Sequence, residues 1–112
     1  MLIGDKAIGS GHPCFICFEA GPTHDGLESA MRLVKYSAEA GADAIKFQIF
    51  DPDRLIADRS APFTYQVLVD RETGERKDVT EPLYDILVRR ALTDQEWREL
   101  KNYSDIQGLS FF

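Results

Sequence analysis

The sequence predicts an α/β fold with a parallel sheet, because strand-like and helix-like segments alternate along it. The runs CFICFEA (14–20) and AIKFQIF (44–50) are rich in apolar, β-branched and aromatic residues, as strands are. The segment between them carries apolar residues at helical spacing, namely Leu27, Ala30, Met31, Val34 and Ala38. A strand, a helix and a second strand joined by short connections form a parallel, right-handed unit.

Local signals set the bounds of this unit. The opening IGDKAIGSG has short apolar stretches around Gly-Asp-Lys and predicts a small hairpin. Asp25 followed by Glu28 predicts a capping box at the start of the helix. Gly41 is placed to end the helix, because glycine readily adopts the left-handed conformation of a C-terminal cap.

The middle of the chain departs from the alternation. Residues 51–63 have no clear period and predict a loop, with Pro52 and Pro62 near its ends. The runs TYQVLVD and ERKDV, on either side of Gly74, predict a β-hairpin excursion. The run PLYDILVRRAL predicts a short helix with Pro82 in its first turn.

The chain then returns to the alternation with a helix and a strand. Thr93 and Glu96 predict a capping box that opens the helix DQEWRELKNYSDIQ, and Gly108 is placed to end it. We expect LSFF to start a third strand. The buried face of the helix is predicted to consist of Trp97, Leu100, Tyr103 and Ile106.

The run AIKFQIF decides between an open sheet and a barrel. Side chains alternate along a strand, so Ile45, Phe47 and Ile49 share one apolar face while Lys46 and Gln48 share the other. A central strand of an open parallel sheet is apolar on both faces, whereas the carboxyl ends of barrel strands carry active sites. Glu19 ends the preceding strand in the same way. We therefore predict the N-terminal portion of a (β/α)8 TIM barrel with a β-hairpin insertion.

Length and charge narrow the classes of partner. A closed (β/α)8 barrel takes roughly 250 residues, so the 112 residues are expected to form a single partial domain. The net charge of −6 argues against nucleic acid or an anionic membrane surface as a partner. No apolar stretch approaches the roughly 20 residues of a membrane span, and we expect a cytoplasmic location.

Cys14 and Cys17 form a C-x-x-C pattern, but no second pair exists, and we expect two buried thiols.

Lys46 and His24 are the residues with open chemical alternatives. A lysine beside a glutamate in a pocket holds phosphate or carboxylate as a point charge, or loses its proton and forms a Schiff base. A plain structural ion pair between Lys46 and Glu19 is the third alternative. His24 lies in a loop directly after the first strand, where it either binds substrate or bonds the turn.

The chain resembles the sialic acid synthases from about Ile3 to its end. Members of that family typically show a strand ending A-E-I-G, then N-H-N-G, then a helix ending E-A-G-A-D-A-V-K-F-Q. This chain has CFEAG, PTHDG and EAGADAIKFQ in the same order and at nearly the same spacing. The E-W-R-E-L-K stretch before the third strand is also similar.

The resemblance implies a (β/α)8 barrel that joins phosphoenolpyruvate to an N-acetylated amino sugar with a divalent metal, manganese or magnesium. It implies that Lys46 holds phosphoenolpyruvate and that Gln48 contacts the amino sugar, and His24 is expected to be a further substrate-binding residue. It implies that Glu19 orients the sugar or moves protons in catalysis. The metal ligands are expected outside this chain, and the full-length enzyme is expected to be a homodimer.

The chain also departs from the family pattern. PTHDG replaces N-H-N-G, so two asparagines are missing, and Phe18 stands where a small residue is usual. The hairpin around residues 64–79 is predicted to be an insertion. Two other functions stay open: a barrel aldolase that uses Lys46 as an amine nucleophile, and a truncated chain without catalysis.

Overall fold

The computed structural model describes residues 1–112, which form two compact units. One unit comprises Met1–Ile49 and Leu92–Phe112, and the other comprises Phe50–Ala91. The first unit contains β1 (Leu2–Ile3), β2 (Lys6–Ala7), β3 (Cys17–Gly21), α1 (Leu27–Glu39), β4 (Ala44–Phe47), α4 (Asp94–Ile106) and β7 (Ser110–Phe111). The second contains α2 (Pro52–Leu55), β5 (Pro62–Leu68), β6 (Arg76–Pro82) and α3 (Leu83–Arg90). None of the helices is long and apolar enough to cross a membrane.

A parallel sheet in the order β3-β4-β7 is the centre of the first unit, as the alternation predicted. The predicted N-terminal hairpin is also confirmed, since β1 and β2 pair in antiparallel fashion. The strand β4 is shorter than predicted. Its ladder with β3 ends where Gly21 pairs with Phe47, so Gln48 and Ile49 lie beyond it and Ile49 is 74% exposed.

The core of the first unit lies between one face of this sheet and the helices α1 and α4. Ile45 and Phe47 of β4 are buried there together with Val34 of α1 and Leu100 of α4. Each fully buried side chain of this size contributes roughly 1.5–3 kcal/mol relative to an exposed one. Lys46 points to the other face, because side chains alternate along the strand.

The helix ends confirm most of the predicted caps. Gly41 and Gly108 have φ values of 80° and 76° after the two long helices, in the left-handed region that favours glycine. Thr93 and Glu96 form the predicted capping box, in which the Glu96 amide donates to Thr93 Oγ1 and the Thr93 amide donates to Glu96 Oε2.

The predicted capping box of α1 is wrong. The N-cap is Gly26, with φ 102°, and glycine has no side chain that could accept from the first turn. Glu28 is engaged elsewhere, because its carboxylate accepts a hydrogen bond from Arg32 one turn later, at 2.7 Å. The i,i+4 pair on the helix surface is thus formed in place of the cap.

Two burial predictions are also wrong. Ile106 is 78% exposed, because nine positions after Trp97, at about 100° per residue, put it on the opposite side of α4. Ser104, in line with Leu100, takes the buried place and donates to the Leu109 carbonyl.

Cys14 and Cys17 are both exposed free thiols. Cys14 precedes β3, and Cys17 is the first of the three exposed residues with which β3 begins.

The second unit contains the predicted hairpin. β5 and β6 pair in antiparallel register from Pro62 opposite Pro82 to Leu68 opposite Arg76. The predicted loop over 51–63 contains the short helix α2 and the start of β5, so that prediction holds only in part. The short helix is confirmed as α3, but Pro82 is its N-cap and does not lie within its first turn.

Candidate active site

Glu19 and Lys46 meet because their strands are parallel neighbours in register. Glu19 of β3 lies opposite Lys46 of β4, near the carboxyl end of each strand. The Lys46 ammonium donates to Oε2 of Glu19, and the two charged groups form an ion pair. About half of each side chain is exposed, at 49% for Lys46 and 52% for Glu19. Because both side chains are half exposed, the pair is accessible to a ligand. An exposed ion pair of this kind contributes only about 0–1 kcal/mol to stability.

A bulge in β3 brings Gln48 to the same place. The register shifts after the Glu19–Lys46 pair, so that Gly21 pairs with Phe47 and Ala20 is the extra residue. Such bulges re-aim side chains and are common beside active sites. A carbon added at the Cβ position of Gly21 would lie 3.5 Å from Glu19 Oε1 and 4.0 Å from Gln48 Cδ. The side chains of Glu19 and Gln48 therefore both come within van der Waals distance of the Cβ position of Gly21.

Cys17 belongs to the same face and was not predicted as a site residue. It precedes Glu19 by two positions on β3, and its thiol is exposed. Partial burial and the Glu19 carboxylate raise the pKa of Cys17 above its ordinary value, and the Lys46 ammonium acts in the opposite direction. The alternation of side chains along β3 puts Cys17 on the same face as Glu19 and could have identified it as a site residue. It was not predicted as one because a buried thiol was expected.

His24 lies apart from these exposed groups. Its side chain is completely buried, and its ring packs edge-on against Phe47 at 5.8 Å and against Trp97 at 6.4 Å between centroids. Phe111 stacks on the same Phe47 ring. These aromatic rings lie on the helix-covered face of the sheet, whereas Lys46 is exposed. The structure thus brings Glu19, Lys46 and Gln48 together and buries His24 in the core, and the substrate-binding role of His24 stays a prediction.

A second charged pair lies at the amino end of β4. Asp43, just before β4, accepts hydrogen bonds from the Lys6 ammonium and from the Ile16 amide, at 2.5 and 2.7 Å. These two bonds, the Lys6 bond first, hold the pKa of Asp43 below its ordinary value. A cavity of about 300 Å³ adjoins this pair, and it is lined by Lys6, Ala7, His12, Pro13, Cys14, Phe15 and Asp43. The pair ties the N-terminal hairpin to the sheet.

The chain does not supply a metal site by itself. No group of three or more His, Cys, Asp or Glu side chains is arranged to hold a metal ion. A single carboxylate beside an ammonium, as in the Glu19–Lys46 pair, is a poor ligand set, because metal ions take several oxygen or nitrogen ligands. The residues present therefore do not fit a divalent metal, and the predicted ligands outside this chain stay a prediction.

Comparison with known proteins gives three informative similarities. The chain matches the NeuB family over residues 33–112. It is 52% identical over 54 residues to the spore coat polysaccharide biosynthesis protein SpsE of Bacillus subtilis, covering 47% of this chain and 14% of that protein. It is 33% identical over 109 residues to the N,N'-diacetyllegionaminic acid synthase of Legionella pneumophila, covering 96% of this chain and 29% of the synthase.

The fold is similar to a solved structure of the same group. The N-acetylneuraminic acid synthetase of Leptospira borgpetersenii, crystallised with citrate, matches with a TM-score of 0.70 and 25% identity. The match covers all of this chain and 32% of the synthetase. The chain therefore spans less than a third of each of these relatives.

Proposed function

Since this chain belongs to the NeuB family, we propose that it forms the N-terminal portion of the (β/α)8 barrel of a sialic-acid-type synthase. The β3-β4-β7 sheet supports this proposal, because successive parallel strands joined by helices are the repeating unit of such a barrel. The resemblance in fold to the Leptospira synthetase supports it independently of the motifs. The remaining strands would come from outside residues 1–112.

The observation that carries the function is the exposed Glu19–Lys46 pair at the carboxyl ends of two adjacent parallel strands. In barrels of this class the active site is built at that end. A lysine ammonium is a compact point charge that suits phosphate or carboxylate groups. The chain has a net charge of −6, so an anionic substrate would be held by placed cations such as Lys46 and not by a general field.

The proposed reaction is the condensation of phosphoenolpyruvate with the open-chain aldehyde of an N-acetylated amino sugar. The methylene carbon of phosphoenolpyruvate forms a bond to the aldehyde carbon, and the aldehyde oxygen takes up a proton. Water then adds to the resulting cation and gives up one proton. The hydroxyl group left on that carbon loses the second proton and becomes the keto group as the C–O bond to phosphate breaks and phosphate leaves. Lys46 holds phosphoenolpyruvate by charge, while Gln48 contacts the sugar. Glu19 orients the sugar or moves its proton.

Other properties of the full-length enzyme are part of the same proposal. It is expected to be a homodimer in the cytoplasm and to use manganese or magnesium, which would polarise the aldehyde. No role in the metal site is assigned to residues of this chain. The amino sugar is left at the level of the class, because the relatives carry names of different products, legionaminic acid and N-acetylneuraminic acid.

The ion pair argues against the aldolase alternative. A Schiff base requires a neutral amine that is free to attack a carbonyl group, whereas the Lys46 ammonium is paired with Glu19. Treatment with a keto acid and borohydride tests this alternative directly. A covalent adduct on Lys46 would support the aldolase and contradict the role of Lys46 as a charge clamp.

A chimaeric enzyme tests the proposed function. In the Leptospira synthetase, the segment that matches this chain is replaced by residues 1–112. We expect the chimaera to form N-acetylneuraminic acid from phosphoenolpyruvate, N-acetylmannosamine and manganese. The matched control is Lys35→Met, which removes a lysine that pairs with Glu39 on the surface of α1 and should leave activity unchanged. A chimaera that makes no product, whether folded or not, contradicts the proposal, because residues 1–112 would then not replace the synthetase strands.

A further inference from the structure

Asp43 and Ile16 are joined just before their two strands begin to pair. The Ile16 amide donates to Oδ2 of Asp43 at 2.7 Å. The Ile16 carbonyl accepts from the Asp43 amide at 2.8 Å and from the Ala44 amide at 3.1 Å. The side chain of Asp43 thus adds one hydrogen bond to the start of the ladder between β3 and β4.

This contact has the same register as the Glu19–Lys46 pair. Each of the two side-chain bonds joins residues 27 positions apart in the sequence. The pairs of the ladder between them follow that register without a shift, and the shift comes only after Glu19, where Gly21 pairs with Phe47. Two registers therefore meet in one short ladder, and the register that sets Glu19 opposite Lys46 is the one that Asp43 shares.

Lys6 orients the Asp43 carboxylate. Its ammonium donates to Oδ1 at 2.5 Å, while Oδ2 accepts from the Ile16 amide. These bonds hold the pKa of Asp43 below its ordinary value, so the carboxylate stays charged at neutral pH, and a charged acceptor makes the stronger hydrogen bond. The Asp43 carbonyl also accepts from the Ser110 amide of β7, at 3.1 Å. Asp43 is therefore bonded to the chain at the start of both neighbouring strands.

We propose that Asp43 is a positioning residue, which holds β3 in the register that sets Glu19 opposite Lys46. A shift of register by one residue moves the side chains of a strand to the opposite face, so the charged pair depends on this register. Three residues of a strand span about 10 Å, so Asp43 acts on the pair through the ladder and not by contact. The effect on the register concerns this chain alone, whereas its consequence for catalysis rests on the proposed function.

The first arm of the test uses the Cys17 thiol as a probe of the register in the 112-residue chain. The charge of Lys46 acts on Cys17 from the neighbouring strand and lowers its pKa. In a Cys14→Ser background, Lys46→Met should therefore raise the pH midpoint of Cys17 alkylation by iodoacetamide. When Asp43→Ala is added, this rise should shrink by about half or more, because the interaction between charges falls with distance. An equal rise with and without Asp43 overturns the inference.

The second arm measures steady-state kinetics in the active chimaera. Asp43→Ala is expected to lower kcat/KM for phosphoenolpyruvate about tenfold to a hundredfold, as small displacements of catalytic groups do. Asp43→Asn should retain most of the activity, because its side-chain oxygen still accepts from the Ile16 amide. Lys6→Met should have a small effect, since it leaves that bond in place. A loss in Lys6→Met as large as in Asp43→Ala overturns the inference, because attachment of the N-terminal hairpin would then explain both.

A double variant shows whether Asp43 acts through the charged pair. Once Glu19→Gln has broken the pair, adding Asp43→Ala should lower kcat/KM by no more than about twofold, because residues that act as one unit are not additive. Fully additive losses in the double variant overturn the inference.

Ser104→Ala is the matched control for stability. It removes a buried hydrogen bond to the Leu109 carbonyl, just before β7. Its melting temperature should fall about as far as that of Asp43→Ala, on the order of 5 °C, while kcat/KM stays unchanged. An equal loss of activity in Ser104→Ala overturns the inference, because destabilisation alone would then account for the effect of Asp43→Ala.

Asp43→Ser replaces Asp43→Ala if the alanine variant does not fold, because serine keeps a polar group but has a shorter side chain. If neither variant folds, the inference is overturned, since Asp43 would then hold the whole fold and not the register. An unsubstituted chimaera without activity contradicts the proposed function instead. The alkylation arm needs no activity, so the two failures are distinguishable.

Discussion

Glu19 and Lys46 form an ion pair across two parallel strands, although 26 residues separate them in the sequence and nothing local joins them. The register of β3 and β4 places them opposite each other, at the end of the strands where barrel enzymes bind their substrates. Both side chains remain half exposed. The sheet thus positions the two charged groups, and their exposure leaves them accessible to a ligand.

Lys46→Met in the chimaera should abolish turnover and weaken the binding of phosphoenolpyruvate while leaving the fold intact. Loss of a hydrogen bond from a charged group to an anion weakens binding by about 1.5–3 kcal/mol. Lys46→Arg should fail too, because a planar guanidinium does not replace a compact ammonium. Calorimetric titration measures the affinity, with Lys35→Met as the control. Unchanged affinity in Lys46→Met would remove Lys46 from the phosphoenolpyruvate site.

Glu19→Gln should impair turnover more than the binding of phosphoenolpyruvate. The proposed partners of Glu19 are the sugar and its proton, and glutamine retains the shape of the side chain without its charge or basicity. The measurement is the ratio of the loss in kcat to the loss in phosphoenolpyruvate affinity. If turnover stays at the wild-type rate with sugar and metal saturating, Glu19 is only a structural partner of Lys46.

The 112-residue chain alone should be catalytically silent. A closed barrel takes roughly 250 residues. In the three-stranded sheet of this chain, the outer strands β3 and β7 each pair on one side only, with β4. Open edges and exposed apolar side chains such as Ile16, Phe18 and Phe112 favour association. We expect concentration-dependent self-association in sedimentation velocity and no product from phosphoenolpyruvate, N-acetylmannosamine and manganese. Product formation would mean that several copies assemble a barrel.

The reactivity of Cys17 should depend on the site charges. In a Cys14→Ser background, the pH midpoint of alkylation by iodoacetamide reports the thiol pKa. Because Glu19 raises that pKa and Lys46 lowers it, Glu19→Gln should move the midpoint down and Lys46→Met should move it up. The control is Lys35→Met, which removes a charge on the surface of α1 that pairs with Glu39 and should leave the Cys17 midpoint in place. Unchanged midpoints in both variants would show that Cys17 is not close to the charged pair.

The second unit should lose stability in acid through Glu81. Arg89 donates two hydrogen bonds to the Glu81 carboxylate and Tyr65 donates one, and these bonds lower the pKa of Glu81 from 4.5 to about 2. A lowered pKa in the folded state stabilises the fold above pH 4.5, and this contribution is lost as the pH falls toward 2. The advantage of the wild type over Glu81→Gln in urea unfolding should shrink across that range.

The matched control for this titration is Glu72→Gln, which removes an exposed carboxylate of the hairpin loop. Carbon NMR of the Glu81 carboxyl group measures its midpoint directly. A midpoint near the ordinary value for glutamate would contradict the bidentate contact with Arg89.

Most features set by a few neighbouring residues were predictable from the sequence alone, although the capping box of α1 was not. The Thr93–Glu96 capping box and the glycines that end α1 and α4 are confirmed, because each depends on contacts within one helical turn. The hairpin and the parallel β-α-β unit are confirmed as well, since the hydrophobic period and the turn residues determine them. The motif EAGADAIKFQ likewise led to the family without any structure.

The tertiary structure alone decided what depends on distant neighbours. The bulge at Ala20 depends on the pairing of β3 with β4. The approach of Glu19 and Gln48 to Gly21 likewise depends on contacts between residues that are distant in the sequence. The exposure of Cys14 and Cys17 and the burial of His24 depend on which surfaces other elements cover. A strand pattern gives the face on which a side chain lies, but only the packed elements determine whether that face meets a core or a ligand, because burial is a property of the neighbours and not of the residue.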